Sequence, residues 1–134
     1  MSSASADNEG REYPDAWAGL EYPWQRRELL LWLNELSIPD PRSTWRPEVQ
    51  RGLVGGIDEV IHFFFDDHDF DVTEIGLSLV NEEEVAALSA LKAALDALIE
   101  RLPRGGDDDY VSHALWPDVT RSAIAAAETL KRAG

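Results

Sequence analysis

The sequence predicts an all-α fold: a single compact domain of five or six helices joined by short connections. Three observations lead there. Apolar residues recur at helical spacing in several separate stretches, and capping residues and prolines bracket those stretches. The 134 residues, 44% of them hydrophobic, are enough for one modest core and no more.

Residues 1–18 are rich in Ser, Ala, Asp and Asn without any period, and read as a flexible tail ahead of a domain over 19–134. Tyr13, Pro14 and Trp17 are the residues able to dock that tail. The first helix is expected over 24–36, opened by Pro23 in its first turn and stopped by Pro39 and Pro41. Its apolar face is Leu29, Trp32, Leu33 and Leu36. In residues 42–56, Pro47, Val49 and Leu53 outline a short helix that Gly55-Gly56 would end.

Residues 57–67 carry two patterns at once. Ile57, Val60, Ile61 and Phe64 fit a helical face, while Val-Ile-His-Phe-Phe-Phe has the composition of a strand. Helix is preferred, because Asp58 and Glu59 fall in a first turn, where the helix dipole favours acids. Asp71 with Glu74 then suggests a capping box for a short helix holding Ile75, Leu79 and Val80. A long helix follows, capped by Asn81 with Glu84 at its third position. Its stripe is Val85, Leu88, Leu91, Leu95, Leu98, Ile99 and Leu102, with Lys92 and Asp96 paired across a turn. Asp107-Asp108-Asp109 start a short helix through Tyr110, Val111 and Ala114. Pro117 opens the last helix, to about residue 131, burying Val119, Ala123, Ala127 and Leu130. Of five tryptophans, Trp32 and Trp116 are expected in the core. Trp17, Trp24 and Trp45 are expected to pack loops against it, in preference to anchoring an interface.

Charge is the unusual property. The net charge is −14, and residues 52–91 hold ten acids and no Lys or Arg, so that stretch alone supplies −10. Such a surface repels duplex nucleic acid and anionic membrane, which need cations to bind them. No apolar run approaches the ~20 residues that span a bilayer, and the first ten residues lack the basic and apolar regions of a signal peptide, so a cytoplasmic location is expected. With no cysteine, disulfides and thiolate zinc sites are excluded.

Catalytic patterns are scarce. The chain has no Gly-x-Ser-x-Gly elbow, phosphate loop or His-Glu-x-x-His pair, and His113 beside Asp109 is an isolated couple. The densest polar cluster is Glu59, His62 and Asp66 to Asp71. On a regular helix Glu59, His62 and Asp66 would share one face, the donor types that hold a divalent metal. Asp67-x-Asp69-x-Asp71 copies the start of a calcium loop, but Val72 and Ser78 stand where the turn glycine and the bidentate glutamate belong. Solvated acids at a helix end are the preferred reading of this cluster.

Several short steps resemble a family of small, acidic, uncharacterised proteins frequent in actinobacteria. They are Tyr22-Pro23, Arg27-Glu28-Leu29, Leu36-Ser37, Ile57 to Asp67, Ile75-Gly76, Glu82-Glu83-Glu84-Val85 and Trp116-Pro117-Asp118-Val119. The resemblance covers about residues 20–132, with residues 39–54 richer in Pro and Arg than the pattern. It implies no activity and no catalytic residue. In size, acidity and lack of catalytic motifs such proteins look like the immunity proteins that neutralise bacterial toxins. The expectation is therefore a non-catalytic protein-binding module, not an enzyme, without cofactor or metal. It would meet a basic protein partner through Asp58, Glu59, Asp66, Asp67, Asp69, Asp71, Glu74 and Phe70. The alternative is a small metal-dependent protein or hydrolase using Glu59, His62 and the Asp66–Asp71 run.

Overall fold

A computed structural model describes residues 13–45 and 56–133. The described residues are helical and contain no strand, as an all-α domain requires. Helix α1 spans Pro23–Leu36, α2 spans Ile57–Ile61 and runs on as a π-helical turn His62–Asp67, α3 spans Glu82–Arg101, α4 spans Asp107–Val111 and α5 spans Trp116–Ala133. Residues 42–45 are also helical; the short helix expected around Pro47, Val49 and Leu53 falls outside the described residues.

α5 is the central element, packed against both α3 and α1. Its inward residues Val119, Ala123, Ala126, Ala127 and Leu130 are buried, and three alanines among them let neighbouring backbones come close. α1 runs antiparallel to α5. Its start is tied to the end of α5 through Arg26 and the Leu130 carbonyl, and the segment after it to the start of α5 through Trp116 Nε1 donating to the Pro39 carbonyl at 3.1 Å. Leu29, Leu33 and Leu36 of α1 and Leu88, Leu91, Leu95 and Leu98 of α3 are buried as their spacing predicts. Trp32, Ile61 and Ile75, also expected inside, are only partly buried and pack on the rim of the core. Trp17 and Trp45 are buried, whereas Trp24 projects into solvent.

The α2 segment is helical, and its departure from a regular helix has a cause in its side chains. Val60, Phe63 and Phe64 all go inside. An i→i+5 turn takes up an extra residue and narrows the angle between consecutive side chains, so two adjacent phenylalanines can both face the core. Phe70 follows at φ 53°, a left-handed conformation that costs a non-glycine residue about 1–2 kcal/mol. Its ring is buried against Phe63, Phe64 and His68, which offsets that cost.

Asp71 caps as expected, accepting from Thr73 N at 2.9 Å, but the helix it was expected to open is one 3₁₀ turn, Val72–Glu74. Glu74 does not reach back to Asp71; it accepts from Ser78 Oγ at 2.6 Å, and the chain turns at Gly76 instead of coiling on. This turn docks on the entry to α1 through Glu21 N and Tyr22 N, which donate to the carbonyls of Gly76 and Leu77. Asn81 caps α3 by accepting from Glu84 N at 3.1 Å.

Candidate partner-binding face

The acids singled out by the sequence are carried on α2, its π-helical turn and the link that follows. Asp58, Asp66, Asp67, Asp69 and Asp71 are exposed; Glu59 and Glu74 are half-buried. Apart from Glu74, which lies in the 3₁₀ turn Val72–Glu74, they fall into two groups at opposite ends of the helical segment, since eight residues of helix separate Asp58 from Asp66 by about 12 Å.

The first group, Asp58 and Glu59, lies where α2 meets α4. Asp107 of α4 accepts from Ile57 N at 2.8 Å, so it caps α2 from across the fold. The close approach requires a glycine before it: Gly56 has φ 81°, and a Cβ there would sit 2.5 Å from Asp107 Oδ1. The Asp58 carboxylate faces Tyr110, whose phenol is held above its ordinary pKa by burial first and by this charge second. Asp108 and Asp109 extend the acidic surface along α4. Arg42 moderates it, bridging Asp108 at 2.9 Å and Asp40 at 2.7 Å.

The second group, Asp66, Asp67, Asp69 and Asp71, rims the end of the π-helical turn. Asp66 pairs with His62, Oδ2 to Nδ1 at 2.8 Å. Asp71 has its carboxyl held below the ordinary value, chiefly by the Thr73 hydroxyl and then by the Thr73 N–H, with a smaller contribution from Lys92. Lys92 is the residue here that pattern reading misplaced. It turns away from Asp96, donates from Nζ to the Asp69 carbonyl at 2.9 Å, and lies 5.3 Å from the centre of the Phe65 ring. Between the acids and α3 is a cleft of about 320 Å³, lined by Asp69, Phe70, Asp71, Val85, Ser89 and Lys92. On the α3 side, Val85 belongs to the apolar stripe read for that helix and is half-buried, while Ser89 is exposed.

Three expectations need correction. Phe70 is not presented to a partner; at 2% exposure it is a core residue that shapes the backbone under the acids. Glu84, one of the ten acids counted in residues 52–91, is fully buried and belongs to the interior. Glu59, His62 and Asp66 do not assemble as a donor set: among the described residues, no three His, Asp or Glu side chains gather where they could hold a metal ion. His113 Nδ1 accepts from Leu115 N at 3.0 Å, which makes it part of the turn before α5. No helix among the described residues is long and apolar enough to cross a membrane.

A family model described as a domain of unknown function matches residues 20–134. No curated protein matches the chain, and no solved structure does.

Proposed function

We propose that this chain, which belongs to the DUF7945 family, is a non-catalytic, cytoplasmic protein-binding module that meets a basic partner through the acids of α2 and the link after it. An immunity-type inhibitor of a bacterial toxin is the form this reading takes. The observation that carries it is the row Asp66, Asp67, Asp69 and Asp71, exposed on a backbone whose neighbours Phe63, Phe64 and Phe70 are locked in the core. Carboxylates on a rigid base keep their spacing without an ordering cost at binding. A face of one sign raises the association rate for an opposite charge, and in a nuclease-type partner the carboxylates would stand where phosphates bind.

The test is affinity capture from the native lysate at low and high salt. It is run with the wild-type chain and with Asp66→Asn, Asp67→Asn, Asp69→Asn and Asp71→Asn combined. Asparagine still caps a helical turn, so the Asp71 substitution leaves the local fold in place. The wild-type chain should hold a basic protein at low salt and release it as salt rises, and the fourfold variant should hold it much less. Equal capture by both chains, or capture of no basic protein, would refute the proposal.

A further inference from the structure

One strained peptide lies inside the row of exposed acids, between Asp67 and Asp71. Phe70 has φ 53°, and among the described residues it is the one non-glycine residue in the left-handed region. A phenylalanine keeps that conformation only where its surroundings fix it, and residues held in this way gather at functional sites. The rings of Phe63, Phe64 and His68 hold the Phe70 side chain. They leave open which way the peptide between Asp69 and Phe70 faces, because that plane can turn over while both Cα atoms stay in place. Turning it would carry Phe70 out of the left-handed region and relieve the strain.

Lys92 of α3 decides the direction. Its Nζ donates to the Asp69 carbonyl at 2.9 Å. That carbonyl shares one rigid plane with the Phe70 N–H, so a bond that holds the oxygen toward α3 also holds Phe70 at its positive φ. Among the described residues, no other hydrogen bond joins the backbone of His68, Asp69 or Phe70 to another element. The donor is itself constrained, being half-buried with its ammonium 5.3 Å from the centre of the Phe65 ring. In a stretch crowded with carboxylates, this cation takes a backbone carbonyl as its hydrogen-bond partner, and a charged donor makes that bond a strong one.

We propose that Lys92 is a positioning residue of the partner-binding face. By locking the Asp69–Phe70 peptide it sets the angle between Asp66 and Asp67 on the π-helical turn and Asp69 and Asp71 on the link. This role rests on the reading of those acids as the surface that meets a basic partner. It is opposite in sign to the residue's charge. An ammonium beside the acids repels a basic partner, so charge alone makes removal of Lys92 a gain in binding. Positioning makes its removal a loss.

The wild-type chain is compared with Lys92→Met, which keeps an apolar stem over Phe65 but cannot donate, and with Lys92→Arg, which keeps both charge and donor. A strong intraresidue nuclear Overhauser effect between amide and α protons marks a positive φ. It should be present at Phe70 in the wild type and in Lys92→Arg, and lost or much reduced in Lys92→Met. The basic protein that the wild-type chain captures from the native lysate serves as the binding probe. Lys92→Met should bind it roughly three- to tenfold more weakly, the range that loss of one hydrogen bond spans, and Lys92→Arg should restore most of that loss. An unchanged Phe70 signal in Lys92→Met would overturn the proposal. So would binding by Lys92→Met as tight as the wild type or tighter, a result that leaves the acidic face standing. A wild-type chain that captures no basic protein removes the face, and the role of Lys92 in it.

Discussion

Arg26 and Glu84, 58 residues apart in sequence, form a fully buried bidentate ion pair. Arg26 Nη1 donates to Oε1 at 2.8 Å and Nη2 to Oε2 at 2.7 Å. The same guanidinium donates to the carbonyls of Ser78 at 3.1 Å and Leu130 at 3.0 Å, and lies 5.3 Å from the centre of the Trp17 ring. Glu84 also accepts from Val80 N at 2.8 Å. One cation thus joins α1, the turn before α3, α3 itself, the end of α5 and the 3₁₀ turn Asp15–Trp17. Buried charges need this degree of satisfaction, since desolvation costs several kcal/mol per ion.

Breaking that pair from one side leaves a charge buried without compensation. Glu84→Gln should destabilise the fold by about 3–5 kcal/mol in urea unfolding. Arg26→Met combined with Glu84→Gln should lose clearly less than the sum of the two single changes, because removing both charges relieves the uncompensated one. Additive losses would mean that the two residues act separately.

The sequence announces this pair only in hindsight of the stripe it interrupts. Arg26 stands three residues before Leu29 and seven before Leu33, on the apolar face of α1, where a charge has to find a buried partner. Glu84 looked like a capping residue among three consecutive glutamates, and nothing local separates it from Glu82 and Glu83, which are exposed. The stripes of α1, α3 and α5 were legible because one face of each is buried and 3.6-residue spacing reports that directly. The π-helical turn was not, since its cause is the burial of both Phe63 and Phe64, a tertiary demand. The acids of the proposed face were legible as composition. Their division into two groups, and the place of Lys92 beside Asp69, depend on how α2 and α3 pack.

Leu95, in the middle of α3, is fully buried in the core. Leu95→Ala removes three carbon atoms from a close-packed site and should cost about 2–5 kcal/mol in denaturant unfolding. Ile99 on the same helix is half-buried, so Ile99→Ala should cost measurably less. Equal costs would show that the packing face of α3 is rotated from the one described.

Gly56 and Asp107 should behave as a coupled pair. Gly56→Ala introduces a Cβ against the Asp107 carboxylate at a backbone angle that side chains avoid, at a cost of about 1–3 kcal/mol. Asp107→Ala removes the cap on Ile57 N and should cost about 0.5–2 kcal/mol. Once Asp107 is gone the clash is gone too, so Gly56→Ala should cost less in the Asp107→Ala background than in the wild type. Thermal unfolding of the four chains measures that coupling, and a coupling of zero would place the two residues out of contact.

Tyr110 should contribute to the loss of stability at alkaline pH. Its ring is buried, its hydroxyl donates to the Leu102 carbonyl at 3.0 Å, and burial followed by the Asp58 charge raises its pKa above the ordinary value of 10.0. A group whose pKa is higher in the folded chain than in the unfolded one binds its proton more tightly when folded. Its contribution is therefore complete below the unfolded value near pH 10, and is lost as pH climbs from there through the folded value. Urea unfolding at a series of alkaline pH values should show stability falling across that window in the wild type. Tyr110→Phe should lose about 0.5–1.5 kcal/mol at neutral pH with the Leu102 hydrogen bond, and should show a flatter alkaline decline. Asp58→Asn keeps the phenol but removes the neighbouring charge, so the folded pKa moves down toward the unfolded one and the decline becomes shallower than in the wild type. An alkaline profile unchanged by Tyr110→Phe would assign the loss of stability to another group.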